Sequence, residues 1–215
     1  MPQEKSTAGR IGRPVDLEKR DHILDIARDL FFVHGVEGVS IERIASASSV
    51  SKVTIYKSFG DKIGLFEAVV EREADRMEKG ASQMHAQGVT LREQLIAFGT
   101  ELLAFLERPE LAAFDRVLAV EAARHPGLAE RFFQAGPGRI RAILTRLIAT
   151  GMKRGEIEDT DARLAAEDLI ALWQGFGAIE LKFLRKEDRV NPAERHDRVV
   201  RAVDRWLRAY ASRGD

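Results

Sequence analysis

The chain has 215 residues, of which 45% are hydrophobic and none is cysteine, and its 34 basic residues balance 34 acidic ones. No apolar run reaches the roughly 18 residues of a membrane span and no apolar segment opens the chain, so we expect a cytoplasmic protein without secretion signal or disulfide. The zero net charge argues against a general polyanion binder, although residues 40–62 carry four basic against two acidic side chains.

The N-terminal segment, residues 1–15, is polar and aperiodic, which predicts a disordered arm in the free protein. It contains Arg10 and Arg13 in the sequence Arg-Ile-Gly-Arg-Pro. A Gly-Arg-Pro core with a second arginine nearby resembles arms that lie in the narrow minor groove of A·T-rich DNA. We therefore expect both arginines to contact DNA, and a tail without function is the alternative.

The next segment is typical of a helix followed by two short helices. Apolar residues at helical spacing mark the first helix, which Gly35 and Gly38 end. Ser40 and Ser51 are good N-caps for the two short helices, because their side-chain oxygens can accept hydrogen bonds from unpaired backbone N–H groups. The second short helix runs to about Ser58.

This second short helix has one apolar and one polar face. Ile55 and Phe59, four residues apart, are its predicted inward anchors. The opposite face offers hydroxyls, cations, a phenol and an apolar contact, a mixture that suits phosphates and base edges. The residues on or beside that face are Lys52, Val53, Thr54, Tyr56, Lys57 and Ser58.

A further helix is predicted to begin at Asp61, which can cap it, with Lys62 in its first turn. A cation at this position opposes the helix dipole. The placement makes sense if a phosphate binds there, because backbone N–H groups and the ammonium group would then converge on one anion. A solvated lysine is the alternative.

Residues 23–70 resemble the N-terminal DNA-binding domain of TetR-family transcriptional regulators. The shared elements are Phe-x-x-x-Gly, Ser-Lys-x-Thr-(Leu/Ile)-Tyr and Lys-x-x-Leu-Phe, in this order and at the family's spacing. The resemblance implies base-edge and backbone contacts from Lys52, Val53 and Lys57, and phosphate contacts from Ser40, Thr54, Tyr56, Ser58 and Lys62. Ser49 departs from the family, which usually has glycine in this turn, so the tilt of the reading helix stays open.

The rest of the chain carries helix patterns and no strand pattern, so we predict an all-α fold. Its helices are predicted over residues 61–87, 90–107, 109–124, 126–133, 137–154, 161–186 and 192–211, separated by Gly and Pro. Residues 121–151, EAARHPGLAERFFQAGPGRIRAILTRLIATG, resemble the AefR-like subgroup of the same family. We therefore predict a helix-turn-helix domain over residues 16–71 and a helical bundle for ligand binding and dimerisation over residues 72–215.

Dimerisation is expected because one short helix makes few base contacts, so specific reading calls for two copies about 34 Å apart along the duplex, or a multiple of that. The helices over 137–154 and 161–186 both carry apolar stripes. In the family the corresponding helices form a four-helix dimer interface, so we expect a homodimer through them. An ordinary monomer core is the alternative.

Aromatic residues at helical spacing in the bundle are mostly core, yet a bundle can enclose an apolar cavity, and the family places a small-molecule effector there. The predicted cavity wall is Phe98, Leu102, Phe105, Phe114, Val117 and Trp173.

We expect no enzyme activity, no cofactor and no metal. The five histidines lie far apart without paired metal spacing, and no cysteine is present. The sequence Ala-Gly-Pro-Gly-Arg at residues 135–139 lacks the spacing and the lysine of a phosphate-binding loop.

These patterns predict a ligand-responsive transcriptional regulator, a repressor in preference to an activator, that binds a pseudo-palindromic double-stranded DNA operator as a homodimer. The competing hypothesis is a helical small-molecule sensor or carrier whose headpiece no longer binds DNA.

Overall fold

A computed structural model describes residues 14–108, 111, 126–183 and 191–211 of the chain. Its elements there are all helices, without a strand in these ranges, and they confirm the all-α prediction. None of these helices combines the length and the apolar character needed to cross a bilayer. The helices are α1 (Pro14–His34), α2 (Ile41–Ala47), α3 (Lys52–Phe59), α4 (Lys62–Ala86), α5 (Leu91–Leu106), α6 (Pro126–Ala135), α7 (Pro137–Lys153), α8 (Ala162–Gln174), α9 (Gly177–Phe183) and α10 (Pro192–Tyr210).

Three predicted caps start the helices of the headpiece. Ser40 Oγ accepts a hydrogen bond from the backbone N–H of Arg43 at 3.2 Å, and Ser51 Oγ accepts one from Thr54 at 3.1 Å. Asp61 Oδ1 accepts one from Gly64 at 2.7 Å. Each bond satisfies a donor that a helix N-terminus leaves unpaired, so all three predicted caps are confirmed.

The bundle helices begin and end close to their predicted positions, with one difference. The single helix predicted over 161–186 ends at Gln174, because Gly175 adopts φ +45° and ψ −142°, a conformation open mainly to glycine. The chain then begins α9 at Gly177. The helix predicted over 109–124 lies mainly outside the described residues, and α1 begins at Pro14, inside the segment assigned to the arm.

Two apolar cores stabilise the described parts of the chain. The headpiece core holds fully buried residues of α1, α2 and α3, among them Phe31, Ile44 and Ile55. The bundle core is built around Trp173 and Trp206, and the Trp206 indole N–H donates a hydrogen bond to the carbonyl oxygen of Ala165 at 2.8 Å. Burial of such large side chains contributes about 1.5–3 kcal/mol each.

Helix α4 belongs to both cores. Its first half places Leu65, Phe66 and Val69 in the headpiece core, whereas its second half places Ala74 and Met77 in the bundle core. Helix α4 packs against α1 at one end and against α5 and α7 further along. A tilt of α4 would therefore move residues in both cores.

Candidate nucleic-acid interface and ligand cavity

Helices α2 and α3 form a helix-turn-helix whose turn spans residues 48–51. Ser48 Oγ donates a hydrogen bond to the carbonyl oxygen of Ile44 at 2.7 Å, and the backbone N–H of Val50 donates to the carbonyl oxygen of Ala45 at 3.0 Å. Ser49 has φ +54°, which among the described residues other than glycine is the single positive value. The serine thus adopts the conformation for which glycine is usually required, and the turn closes.

Helix α3 is held by its apolar side and exposes its polar side. Ile55 is fully buried and Phe59 is 9% exposed, as predicted, whereas Val53 is 74% and Tyr56 49% exposed. Lys57 and Ser58 are also exposed, and Thr54 is half-buried with its Oγ1 2.9 Å from Ser51 Oγ. An exposed large apolar residue beside a phenol and a lysine is an arrangement that fits a groove of duplex DNA.

Two lysines beside this face form ion pairs with glutamates at the protein surface. Lys52 Nζ lies 3.0 Å from Glu42 Oε1, and the hydrogen bond raises the pKa of Lys52 and lowers that of Glu42. Lys62 Nζ lies 4.0 Å from Glu37 Oε1 at the start of α4. Because exposed pairs contribute little, a phosphate can replace either carboxylate at small cost.

Arg20 is a residue that the sequence analysis missed. Its Nη1 donates a hydrogen bond to the carbonyl oxygen of Ser58 at 3.0 Å, and its Cζ lies 4.4 Å from the ring centroid of Phe59. Arg20 therefore fixes the C-terminal end of α3 against α1. Its sequence signal is only a run of charged residues in the second turn of α1, which also describes a solvated helix face. Arg10 and Arg13 lie outside the described residues.

The bundle contains an apolar cavity of about 380 Å³ between α4, α5, α6, α7 and α8. This volume lies within the range of ligand pockets, about 300–1,000 Å³. The described lining residues are Val70, Ala74, Met77, Leu102, Phe105, Leu106, Leu111, Phe132, Phe133, Gly136, Pro137, Ile140, Arg141, Ile170 and Gln174.

The predicted wall only partly coincides with this lining. Leu102 and Phe105 lie in it, whereas Phe114 and Val117 fall outside the described residues. Phe98 and Trp173 do not line this cavity, and their contact with a ligand stays a prediction. Their rings stack in the bundle core with centroids 6.4 Å apart, because Gly99 lets the indole approach the backbone of α5.

Two aromatic contacts join the cavity wall to the headpiece core. The Phe132 ring is parallel to that of Phe66 with centroids 6.4 Å apart, and the Phe105 ring meets Phe32 edge to face at 5.7 Å. Phe132 and Phe105 both line the cavity. A molecule that displaces either ring would therefore press directly on residues that pack around α1 and α4.

Ion pairs hold α4 to α6 and α7 beside the cavity. Glu67 of α4 is buried, and this burial raises its pKa although Arg131 Nη2 lies only 2.6 Å from its Oε2. Further along α4, Asp75 pairs with Arg139 and Glu78 pairs with Arg146. Helix α4 is thus attached along several turns to two of the helices that line the cavity.

Apolar residues are exposed along α8 and α9. Those of α7 mostly are not, since Ile143, Leu144 and Ile148 are buried in the bundle core, so the predicted stripe on α7 largely packs within the chain. The exposed residues of α8, α9 and the turn between them, here called the α8–α9 patch, are Leu164, Leu172, Phe176, Ile179 and Phe183. Large exposed apolar patches mark interaction sites in soluble proteins.

A helix-turn-helix headpiece joined by one shared helix to a cavity-bearing helical bundle defines the class of helix-turn-helix transcriptional regulators. Residues 23–69 match the family described as bacterial regulatory proteins, tetR family. Residues 93–212 match the AefR-like transcriptional repressor C-terminal domain, which covers more than half of the chain. The chain belongs to the TetR family of bacterial regulators.

Full-length relatives agree with this assignment. The chain is 28% identical over 196 residues to the HTH-type transcriptional regulator YdeS of Bacillus subtilis, covering 89% of this chain and 91% of that protein. It is 26% identical over 200 residues to the HTH-type transcriptional repressor BepR of Brucella suis, covering 91% and 94% respectively. A crystal structure of a TetR-family transcriptional regulator from Mesorhizobium loti superposes with a TM-score of 0.72 at 26% identity, covering 93% of this chain and 100% of that one.

Proposed function

We propose that the protein is a ligand-responsive transcriptional repressor that binds a pseudo-palindromic operator as a homodimer. The observation that carries the proposal is the two-sided character of α3, which is anchored by Ile55 and Phe59 and exposes Val53, Tyr56 and Lys57. The repressor role is supported by the AefR-like C-terminal domain and by the name of BepR, which describes that relative as a repressor.

Within the interface, some residues are proposed to recognise the base sequence and others to position the protein on the phosphate backbone. Lys52, Val53 and Lys57 on the exposed side of α3 contact base edges and backbone, whereas hydroxyls and a lysine contact phosphates. The proposed phosphate contacts are Ser40, Thr54, Tyr56, Ser58 and Lys62. Exposure of Ser40, Tyr56 and Ser58 supports these roles, and Lys62 lies at the N-terminus of α4, where unpaired N–H groups favour an anion.

Dimerisation is proposed to occur through the α8–α9 patch. A single α3 reads one half-site, and two copies related by a two-fold axis place their reading helices about one helical turn of duplex apart, roughly 34 Å or a multiple of it. The exposed Leu172, Phe176 and Phe183 provide the apolar surface that a partner copy would bury.

Ligand response is proposed to act as a population shift. A small-molecule effector that fits the cavity better at one tilt of α4 increases the population of that tilt. The resulting change in operator affinity cannot exceed the ratio of the effector's affinities for the two tilts. The contacts Phe132–Phe66 and Phe105–Phe32 support this coupling, because they run from the cavity wall to the headpiece.

The test is selection of bound sequences from random duplexes by the full-length protein. Two-fold symmetric winners are expected, and their affinity should fall steeply with salt. Lys62→Ala and Tyr56→Phe should weaken every duplex alike, whereas Lys57→Ala should also change the preferred bases, with about 1–3 kcal/mol of discrimination lost at one position. Uniform losses from all three variants would reject this division of roles.

Failure to bind any duplex at low ionic strength would reject DNA reading itself. The chain would then fit the competing function, a helical small-molecule sensor or carrier. The specific observation that keeps this candidate is Ser49, since a strained residue in the helix-turn-helix turn can alter the tilt of α3.

A further inference from the structure

The described wall of the cavity has two polar side chains. Thirteen of its fifteen described lining residues have no polar side-chain group, and the other two are Arg141 of α7 and Gln174 of α8. No acidic side chain is among those fifteen residues. Along the described wall, a charged ligand group would therefore meet a guanidinium and an amide, and the rest of the ligand would meet hydrocarbon and aromatic rings.

The charge of the ion pairs at Arg141 is not fully neutralised. Arg141 Nη1 donates a hydrogen bond to Glu167 Oε1 at 3.0 Å, and Arg163 Nε donates to the same oxygen at 3.1 Å. One carboxylate thus serves two guanidinium groups, which leaves a net charge of one positive unit. Since a guanidinium carries five N–H donors, Arg141 can hold Glu167 and a second oxyanion together.

The N-terminus of α7 adds further positive electrostatic potential to the cavity wall. Pro137 and Arg141 are four residues apart on α7 and both line the cavity. The N-cap residue Gly136 makes no side-chain capping bond, so the positive end of the helix dipole is not offset by a capping oxygen. Arg141 is also half-buried and its Cζ lies 5.5 Å from the ring centroid of Phe133, which limits the water that would screen its charge.

We propose that the effector is an apolar organic acid of one negative charge. Its carboxylate would bind Arg141 and the Gln174 amide, and its hydrocarbon body would lie against Met77, Phe105 and Phe132. The inference rests on the proposed function, because it names the ligand class of the cavity assigned there to the effector. A cation would be repelled by the uncompensated guanidinium charge, and a neutral molecule would leave that charge without a second oxyanion.

The test compares three probes that share a ten-carbon chain and differ only in the head group. Decanoate, decanol and decylammonium are titrated into the full-length protein without DNA, by calorimetry below their micellar concentrations. We expect decanoate to bind about tenfold more tightly than decanol, because a charge-assisted hydrogen bond is roughly twice as strong as a neutral one, and decylammonium to bind most weakly. Equal affinities for decanoate and decanol, or no binding of decanoate, would overturn the proposal.

Two arginine variants form a matched pair. Arg141→Gln should reduce decanoate affinity about tenfold, to the level of decanol. Arg163→Gln removes the other guanidinium from Glu167 but lies outside the described cavity lining, so it should lower the affinity for decanoate less than Arg141→Gln does. Equal losses in both variants would assign the effect to the ion-pair network and reject a direct contact. If Arg141→Gln does not fold, the comparison of decanoate, decanol and decylammonium on the unaltered protein still tests whether the cavity prefers an acid.

The outcome is separable from that of the proposed function. Decanoate preference without operator binding would leave the cavity inference standing and favour the sensor or carrier. Symmetric operator selection without decanoate preference would reject the acid class and leave the regulator.

Discussion

At the scale of single residues, Ser49 of the DNA-binding headpiece has a strained backbone conformation, with φ +54°. A positive φ costs an L-residue roughly 1–2 kcal/mol. The neighbouring bonds from Ser48 to Ile44 and from Val50 to Ala45 hold the turn closed in spite of this cost. The conformation of the turn is therefore decided by the packing of α2 on α3 rather than by the residue within it.

Ser49→Gly is expected to stabilise the protein by about 0.5–1 kcal/mol, because glycine adopts the left-handed conformation without strain. Urea unfolding measures the change. Ser46→Gly is the matched control, since Ser46 is exposed within helix α2. This substitution should lower the free energy of unfolding by about 0.5 kcal/mol. Equal destabilisation by both variants would show that Ser49 carries no strain.

At the scale of elements, close approach between helices depends on the glycines in their interiors. An added Cβ at Gly99 of α5 would lie 2.6 Å from Cε2 of Trp173, whereas at Gly80 of α4 it would meet nothing within 4 Å. The indole of Trp173 is fully buried and cannot move aside freely. The same substitution in two helices therefore has opposite expected effects.

Gly99→Ala is expected to destabilise the bundle by about 1–3 kcal/mol through overpacking. Gly80→Ala is expected to stabilise it by up to about 1 kcal/mol through helix propensity. Thermal unfolding followed by circular dichroism compares the two with the unaltered chain. A loss of stability in both variants would contradict this assignment of the two glycines.

At the scale of the whole molecule, the exposed α8–α9 patch and the shared helix α4 relate the proposed dimer to the proposed DNA interface. Helix α8 of the patch packs against α7 and α10, which in turn pack on α4 and α5. The spacing of two headpieces in a dimer would then depend on the tilt of α4 in each copy. This is the link through which a ligand beside α4 would change operator affinity.

Phe176→Glu is expected to convert the proposed dimer to a monomer, because it places a carboxylate in the α8–α9 patch, where Phe176 is 72% exposed. Sedimentation velocity measures the change, and operator affinity should fall with it. Val33→Glu is the control, since Val33 is 68% exposed on α1, away from the patch. Dimers in both variants would exclude the patch as the interface.

Most structural features of the headpiece could be predicted from the sequence, because the patterns that specify them are local. The caps Ser40, Ser51 and Asp61 and the anchors Ile55 and Phe59 depend on spacing within one or two turns. Sequence reasoning could not separate Phe98 and Trp173 of the bundle core from the residues that line the apolar cavity, since an aromatic residue in a core and one in a cavity wall have the same spacing. It also missed Arg20, whose partner Ser58 is 38 residues away.

The amino-acid sequence by itself determined the helices, the helix-turn-helix and the polar face of α3, because capping and helical periodicity are properties of neighbouring residues. Only the tertiary structure decided which apolar residues close the core, which line the cavity and which remain exposed on α8 and α9. It also placed Arg141 and Arg163 on one carboxylate. Such choices depend on how distant helices pack, and the free energy of that packing is shared among residues far apart in the chain.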